Sequence, residues 1–275
     1  MKSLKEVLLQ AQSNNQAIPA FNIDSFEIYQ AIESVVAEMK YPCLVQLSAG
    51  EDHFIQAERL LILVKKAQID SLPIYLNMDH GHDLSRLEKL VGLGFDMVHF
   101  DGSDLDYPTN LKTTAEFIKK IKKTHPNVLI EAEFNQIKST DTQISPQNFT
   151  SPDSALDFIN QTQADLLAVS IGNLHGSNPQ VPEDLDLVLL AAIKNKLPHQ
   201  FFTLHGGSGI SSVNLSGAIK QGIVKINLNT DLRLEFLKSL KINLDNLKND
   251  KLYELLSPVI DDLKTVIKDK FLCMM

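Results

Sequence analysis

The sequence predicts an α/β protein, a single (β/α)8 TIM barrel with additional C-terminal helices. Three observations carry that prediction. Short, near-continuous apolar runs recur along the chain, as strands covered on both faces require. Between them lie stretches whose apolar residues stand three and four positions apart, the spacing of one helix face. Polar and metal-competent residues gather directly after the runs, where the βα loops of a parallel barrel converge on one mouth.

In chain order the strands are Ile18 to Asn22, Cys43 to Leu47, Ile74 to Met78, Met97 to Phe100, Val128 to Glu133, Leu166 to Ser170, Phe201 to Leu204 and Ile223 to Asn227. The intervening segments Phe26 to Met39, Ala57 to Ala67, Leu84 to Gly92, Leu111 to Thr124 and Pro152 to Thr162 set charged residues opposite an apolar face and read as outer helices. Phe134 to Pro152 is polar and without clear period; a loop of this length is expected to be a mobile lid or disordered. After the eighth strand, Leu232 to Leu272 reads as about three helical stretches, broken near Asn249-Asp250 and Ser257-Pro258. No long linker or low-complexity tract interrupts the βα rhythm. Residues 1–275 are therefore expected to form one domain, with 232–275 as a helical extension able to cap the barrel or make a subunit contact.

Composition excludes several classes. The 275 residues are 44% hydrophobic and 22% charged, ample for a core, and the formal net charge of -8 opposes nonspecific binding to nucleic acid or an anionic membrane. A phosphorylated ligand must then be held by local donors. Cys43 and Cys273 lack a Cys-x-x-Cys spacing and are expected to be free thiols in a reducing compartment. Met1 to Gln16 is too polar for a signal-peptide core, and no apolar run approaches the roughly 20 residues that span a bilayer. A cytoplasmic protein is expected.

The predicted rim carries Asn22; Ser48 and Gly50; Asp79-His80; Asp101-Gly102-Ser103; Glu131 and Glu133; Gly172 with His175-Gly176; His205-Gly206-Gly207-Ser208; and Asn227, Asn229 and Thr230. Of the eight histidines, His80, His175 and His205 fall at or just beyond the ends of the third, sixth and seventh strands. Three imidazoles converging on a mouth suit a zinc ion that keeps a position open for substrate or water. His53, His82, His99, His125 and His199 are read as structural or surface residues, with His82 near enough to His80 to support it. Gly-Gly-Ser-Gly alone is as often a plain turn as an anion cradle. Its place after the seventh strand, beside the Asn-x-Asn-Thr of the eighth, fits the phosphate site that those two barrel loops form.

These segments also resemble a known family. Leu76-Asn77-Met78-Asp79-His80-Gly81, Ala168 to Gly176, Leu204-His205-Gly206-Gly207-Ser208-Gly209, Val224 to Asp231 and Ile18-Pro19-Ala20-Phe21-Asn22 are similar, in that order, to motifs of the class II ketose-bisphosphate aldolases, the fructose/tagatose-bisphosphate aldolases. The resemblance runs from about residue 4 to about residue 237. It implies Zn2+ held by His80, His175 and His205, with Glu133 able to exchange onto the metal. It also implies a monovalent cation, K+ or Na+, near the glycine loops. In that reading the zinc stabilises the enediolate left when the C3–C4 bond of a ketose 1,6-bisphosphate breaks, and Asp79 exchanges a proton with the C4 hydroxyl. An alternative role for Asp79 is to orient a histidine. Asp101 resembles a carboxylate that approaches a second metal position or supports the zinc ligands; capping the following segment is an equal reading. Gly176, Gly206, Gly207, Ser208, Asn229 and Thr230 would cradle the 1-phosphate, Asn227 would bind the triose hydroxyls, and Ser48 and Asn22 would line the substrate. A homodimer or homotetramer is expected.

The sequence departs from the family after Glu133, where Phe134 to Thr142 replaces a glycine-rich lid and its glutamate; Asp141 is the candidate substitute. A weaker proton transfer, a changed substrate or an inactive relative would each fit. His99 stands where an apolar residue is usual. Fructose 1,6-bisphosphate is the preferred substrate, cleaved to dihydroxyacetone phosphate and glyceraldehyde 3-phosphate. Tagatose 1,6-bisphosphate, a related sugar phosphate, or a silent sugar-phosphate-binding barrel are the alternatives. A Schiff-base aldolase using Lys225 is the rival chemistry.

Overall fold

A computed structural model of the chain describes residues 1–137, 148–174, 176, 184–247 and 249–275. Its strands are β1 (Ile18–Asn22), β2 (Cys43–Leu47), β3 (Ile74–Gly81), β4 (Met97–Asp101), β5 (Leu129–Glu133), β6 (Leu166–Ala168), β7 (Phe201–Leu204) and β8 (Ile223–Leu228). All pairings are parallel, and β1 pairs with β8 to close the barrel. Outside lie α2 (Phe26–Met39), α4 (Ala57–Ile69), α5 (Leu84–Leu93), α6 (Tyr107–Thr124), α7 (Pro152–Thr162), α8 (Leu187–Lys196) and α9 (Ser212–Lys220); a short α3 (Ala49–Ile55) follows β2. Many helix starts carry the expected signal: the side chains of Ser25, Asp83, Asp106, Ser151 and Ser211 accept main-chain N–H groups of the first turn.

α1 (Leu4–Asn14) precedes the barrel and packs against β8. Its start is a reciprocal cap, in which Glu6 N–H donates to Ser3 Oγ and Ser3 N–H donates to the Glu6 carboxylate at 2.7 Å. Leu4, Val7, Leu8 and Ala11 form its buried stripe.

Two boundaries differ from expectation in a way that matters for the mouth. β6 stops at Ala168 rather than Ser170, because Thr150 takes over: its Oγ1 accepts Ser170 N–H at 2.9 Å and its N–H donates to Ser170 O at 2.8 Å. β3 runs past Met78 to Gly81, with one extra residue against β4 between Met78 and Gly81. His80 sits in this bulge at φ 48°, the left-handed region. The turn of the chain there lets the neighbours Asp79 and His80 both line the mouth.

The C-terminal region forms two helices, not three: α10 (Thr230–Asp245) and α11 (Leu252–Met274), with Pro258 inside the second. The expected break at Ser257-Pro258 does not occur. An internal proline costs about 3 kcal/mol. Against it, Leu255, Val259, Leu263, Ile267 and Phe271 are all buried, worth about 1.5–3 kcal/mol each. The carbonyl that loses its donor belongs to exposed Glu254, where water can reach it. α11 lies on α2 and β1, and Phe271 stacks on Phe21 at 5.9 Å between ring centroids. Among the described residues no helix is long and apolar enough to cross a membrane.

The barrel interior is polar beneath its C-terminal mouth. Buried Gln46 donates to Asn22 Oδ1 and accepts from Asn77, both at 2.9 Å. On the other side Glu131, fully buried, accepts from Thr203 Oγ1 at 2.7 Å and from Lys225 Nζ at 3.0 Å. A charge this deep is tolerated because every lone pair on that carboxylate oxygen is used.

Candidate active site and metal centre

His80 and His205, 125 residues apart in sequence, meet at the mouth: His80 Nε2 and His205 Nδ1 are 2.8 Å apart. The other nitrogen of each ring is held by a carboxylate. His80 Nδ1 bonds Asp101 Oδ2 and His205 Nε2 bonds Glu131 Oε1, both at 2.7 Å. Asp101 also accepts Ser103 N–H at 3.0 Å, so it both supports His80 and caps the turn that follows. Asp79 stands beside this pair, where Asn227 Nδ2 donates to one carboxylate oxygen at 2.9 Å and Asn22 Nδ2 to the other at 3.4 Å.

The charges are mutually supporting. Burial alone would raise the carboxyl of Asp79, but the positive charge of His80, the nearby ring of His99 and the charges of His205 and Lys225 hold it well below the usual carboxylate range. Burial opposes charge on His80, yet Asp79, Asp101 and Glu133 push the ring up to about 10. Burial and the neighbouring His80 bring His205 down to about 3, against the pull of Glu131. Glu133 moves the other way from Asp79: burial, then the adjacent Asp101, raises it well above its ordinary value.

Asp79, His80, His99 and His205 present ligand atoms within 4.8 Å of one another, and so do His80, Asp101 and Glu133. Imidazole nitrogens with carboxylate oxygens, the rings of His80 and His205 each oriented by a carboxylate behind it, fit a divalent cation of the zinc type. His175 and Asp141 lie outside the described residues.

The cleft in front of Asp79 and His80 has a volume of about 170 Å3. Asn22, Ser48, Gly176, Gly206, Ser208, Asn227, Asn229 and Thr230 all line it, so the sequence-derived substrate set, Gly207 excepted, shares one wall system. Gly207 instead anchors the loop, its N–H donating to Asn227 O at 2.9 Å.

Several site residues were not expected. Arg233, one turn into α10, lines the same cleft, with its guanidinium 3.5 Å from Thr230 Oγ1 and 3.9 Å from the Asp24 carboxylate. Glu51 ties the floor together, accepting from Ser48 N–H at 2.6 Å, Asn22 at 2.8 Å and Asn229 at 3.1 Å. His99, read from sequence as structural or surface, is fully buried within the cluster, its ring centroid 4.8 Å from His80 and 5.0 Å from His205. Strand alternation was the available signal, since His99 and Asp101 share one face of β4. Lys225 is no free amine, being buried against Glu131.

A closed parallel barrel with paired imidazoles, carboxylates and an anion-sized polar cleft at its C-terminal mouth defines a metal-dependent barrel enzyme. Comparison with known proteins makes the assignment specific. The family model "Fructose-bisphosphate aldolase class-II" matches residues 2–275, and the chain belongs to that family of metal-dependent lyases acting on phosphorylated sugars. It is 32% identical over 238 residues to the fructose-bisphosphate aldolase of Streptococcus pneumoniae TIGR4, covering 85% of this chain and 80% of that one. It is 29% identical over 293 residues to the fructose-bisphosphate aldolase of Thermus caldophilus, covering 96% and 95%. Among solved structures it is similar to the YdjI aldolase of Escherichia coli K12, with a TM-score of 0.86, 25% identity and coverage of 100% of this chain and 97% of that one.

Proposed function

We propose that the chain is a zinc-dependent class II aldolase that reversibly cleaves fructose 1,6-bisphosphate, or its C4 epimer tagatose 1,6-bisphosphate, to dihydroxyacetone phosphate and glyceraldehyde 3-phosphate. The observation that carries this reading is the meeting of His80 and His205 beside an ionised Asp79 on the wall of one polar cleft. His175 completes the nitrogen set; support comes from Leu174, the residue before it, which packs on Gly206 next to His205. His80, His175 and His205 would hold a divalent cation there, which when bound would supply the Lewis acidity that makes a C3 carbanion accessible at neutral pH.

The chain's own groups do the rest. Asp79, kept as carboxylate, takes the proton of the C4 hydroxyl as the C3–C4 bond breaks, leaving the electron pair at C3 and an aldehyde at C4. Asn227 holds Asp79 through Nδ2; its Oδ1, without a partner among the described residues, accepts from a triose hydroxyl. Glu133, whose raised carboxyl can carry a proton, stands with Asp101 beside His80 and serves C3 together with Asp141. Gly176, Gly206, Ser208, Asn229, Thr230 and Arg233 bind the phosphate. The glycine loops after β6 and β7 would hold a monovalent cation, K+ or Na+, through their main-chain carbonyls.

We read residues 1–275 as one domain of a cytoplasmic homodimer or homotetramer. Exposed Leu234, Leu237 and Ile242 on α10 support the subunit contact. The test is a cleavage assay with both epimers, before and after chelation and zinc return. Cleavage abolished by chelator and restored by zinc is expected. Cleavage that survives chelation, or trapping of the protein by borohydride with substrate, sinks the metal reading, and dihydroxyacetone phosphate binding without cleavage of either epimer leaves a silent binding barrel.

A further inference from the structure

His99 has two polar ends, and both point at site residues. Its Nδ1 accepts the main-chain N–H of His80 at 3.2 Å, and His80 is the residue held at φ 48° in the β3 bulge. A neutral ring that accepts at Nδ1 carries its proton on Nε2. That N–H is buried without a hydrogen-bond partner among the described residues, and it faces Glu133 Oε2, likewise unpartnered, at 3.7 Å. An unpaired buried polar group costs about 1–3 kcal/mol, so the two have reason to meet. Glu133 is tethered through its other oxygen, which accepts Ile137 N–H at 3.3 Å, leaving Oε2 the end that swings. The same Nδ1 bond argues against His99 as a further metal ligand, because no lone pair remains on Nε2.

We propose that His99 is a two-ended positioning residue: Nδ1 fixes the left-handed turn that aims Asp79 and His80 into the cleft, and Nε2–H docks the Glu133 carboxylate when it is off the cation. The proposal rests on the metal-site reading above and adds a residue that touches neither substrate nor metal.

The two ends separate by substitution. Asparagine at 99 can keep the near acceptor, glutamine the far donor, and leucine neither. Zinc affinity of each purified full-length protein is measured by chelator competition, with kcat and KM on the cleaved bisphosphate. His99→Leu and His99→Gln are expected to lose zinc affinity about tenfold or more, the usual effect of removing a group that orients a ligand. His99→Asn is expected to bind zinc nearly as wild type while its kcat falls at unchanged KM. Wild-type zinc affinity in His99→Leu, or equal losses in all three variants, overturns the proposal, since either marks the ring as packing volume. If the leucine variant fails to fold, the contrast between Asn and Gln decides alone. Wild-type protein that binds zinc but cleaves nothing ends the aldolase reading only, because the zinc titrations still report on His99; wild type that binds no zinc removes the metal reading and the proposal with it.

Discussion

The carbonyl oxygen of Leu174 occupies the place where a side chain on Gly206 would begin. Gly206 has φ 66°, and Asn173 Nδ2 donates to His205 O at 3.1 Å, so the loops after β6 and β7 are knit together beside His205. Gly206→Ala therefore meets both backbone strain and a main-chain clash. A loss of about 2–4 kcal/mol in unfolding free energy is expected, with a drop in zinc affinity measured alongside. An alanine variant with wild-type melting and metal binding would show that the loops are not coupled in this way.

His205→Ala removes one nitrogen and leaves Glu131 without a partner on one oxygen. Bound zinc, measured by metal analysis after gel filtration, is expected to fall from one per chain to a small fraction, with activity lost in parallel. Retained zinc and full cleavage would take His205 out of the ligand set.

Asp79→Asn keeps the size of the side chain and the neighbours of His80 but, on the proposed mechanism, ends proton removal from the substrate hydroxyl. Zinc content should stay near wild type while kcat falls roughly 10²- to 10⁴-fold. Loss of zinc together with rate would mean that Asp79 chiefly orients the metal site.

Arg233 faces the cleft from the first turn of α10, near the oxygen and amide donors of Ser208, Asn229 and Thr230. If it holds phosphate, Arg233→Ala raises KM about tenfold and leaves kcat within about twofold, the signature of lost uniform binding. A kcat effect without a KM effect would assign it elsewhere.

Burial, then the nearby Asp24 carboxyl, pushes Glu51 up to about 7. In this case the folded state binds the proton more tightly than the unfolded chain. Stability therefore falls as pH rises from the ordinary glutamate value near 4.5 to about 7, and is flat with respect to this group above that. Glu51→Gln should flatten the melting temperature across that window, read by thermal scans at half-unit pH steps. An unchanged slope would place the titration on another group.

Strand and helix positions were legible because they are local. Apolar runs and three-four spacing placed every strand, and Phe26–Met39 and Pro152–Thr162 agree with α2 and α7 residue for residue. The misses have physical causes. The β3 bulge hides behind polar residues, since Asp79 and His80 end an apolar pattern while the backbone continues pairing. Pro258 reads as a stop because local preference cannot see the five buried side chains that outweigh it. Motif position singled out His80, His205 and Asp79, which the folded chain brings together, whereas Glu51 and Arg233 join them through neighbours that only the folded register brings near. His99 is within reach of the alternation rule, because it shares one face of β4 with Asp101.

Glu131, on β5, lies below the mouth and receives bonds from three side chains: Thr203 on β7, His205 just beyond its end, and Lys225 on β8. A change at Thr203 or Lys225 is thus felt as a turned imidazole several ångströms higher, though neither residue would touch a bound ion. Retuning this barrel toward a different metal, by selection or by design, means refitting those four side chains together, because altering one leaves the others aimed for the old partner.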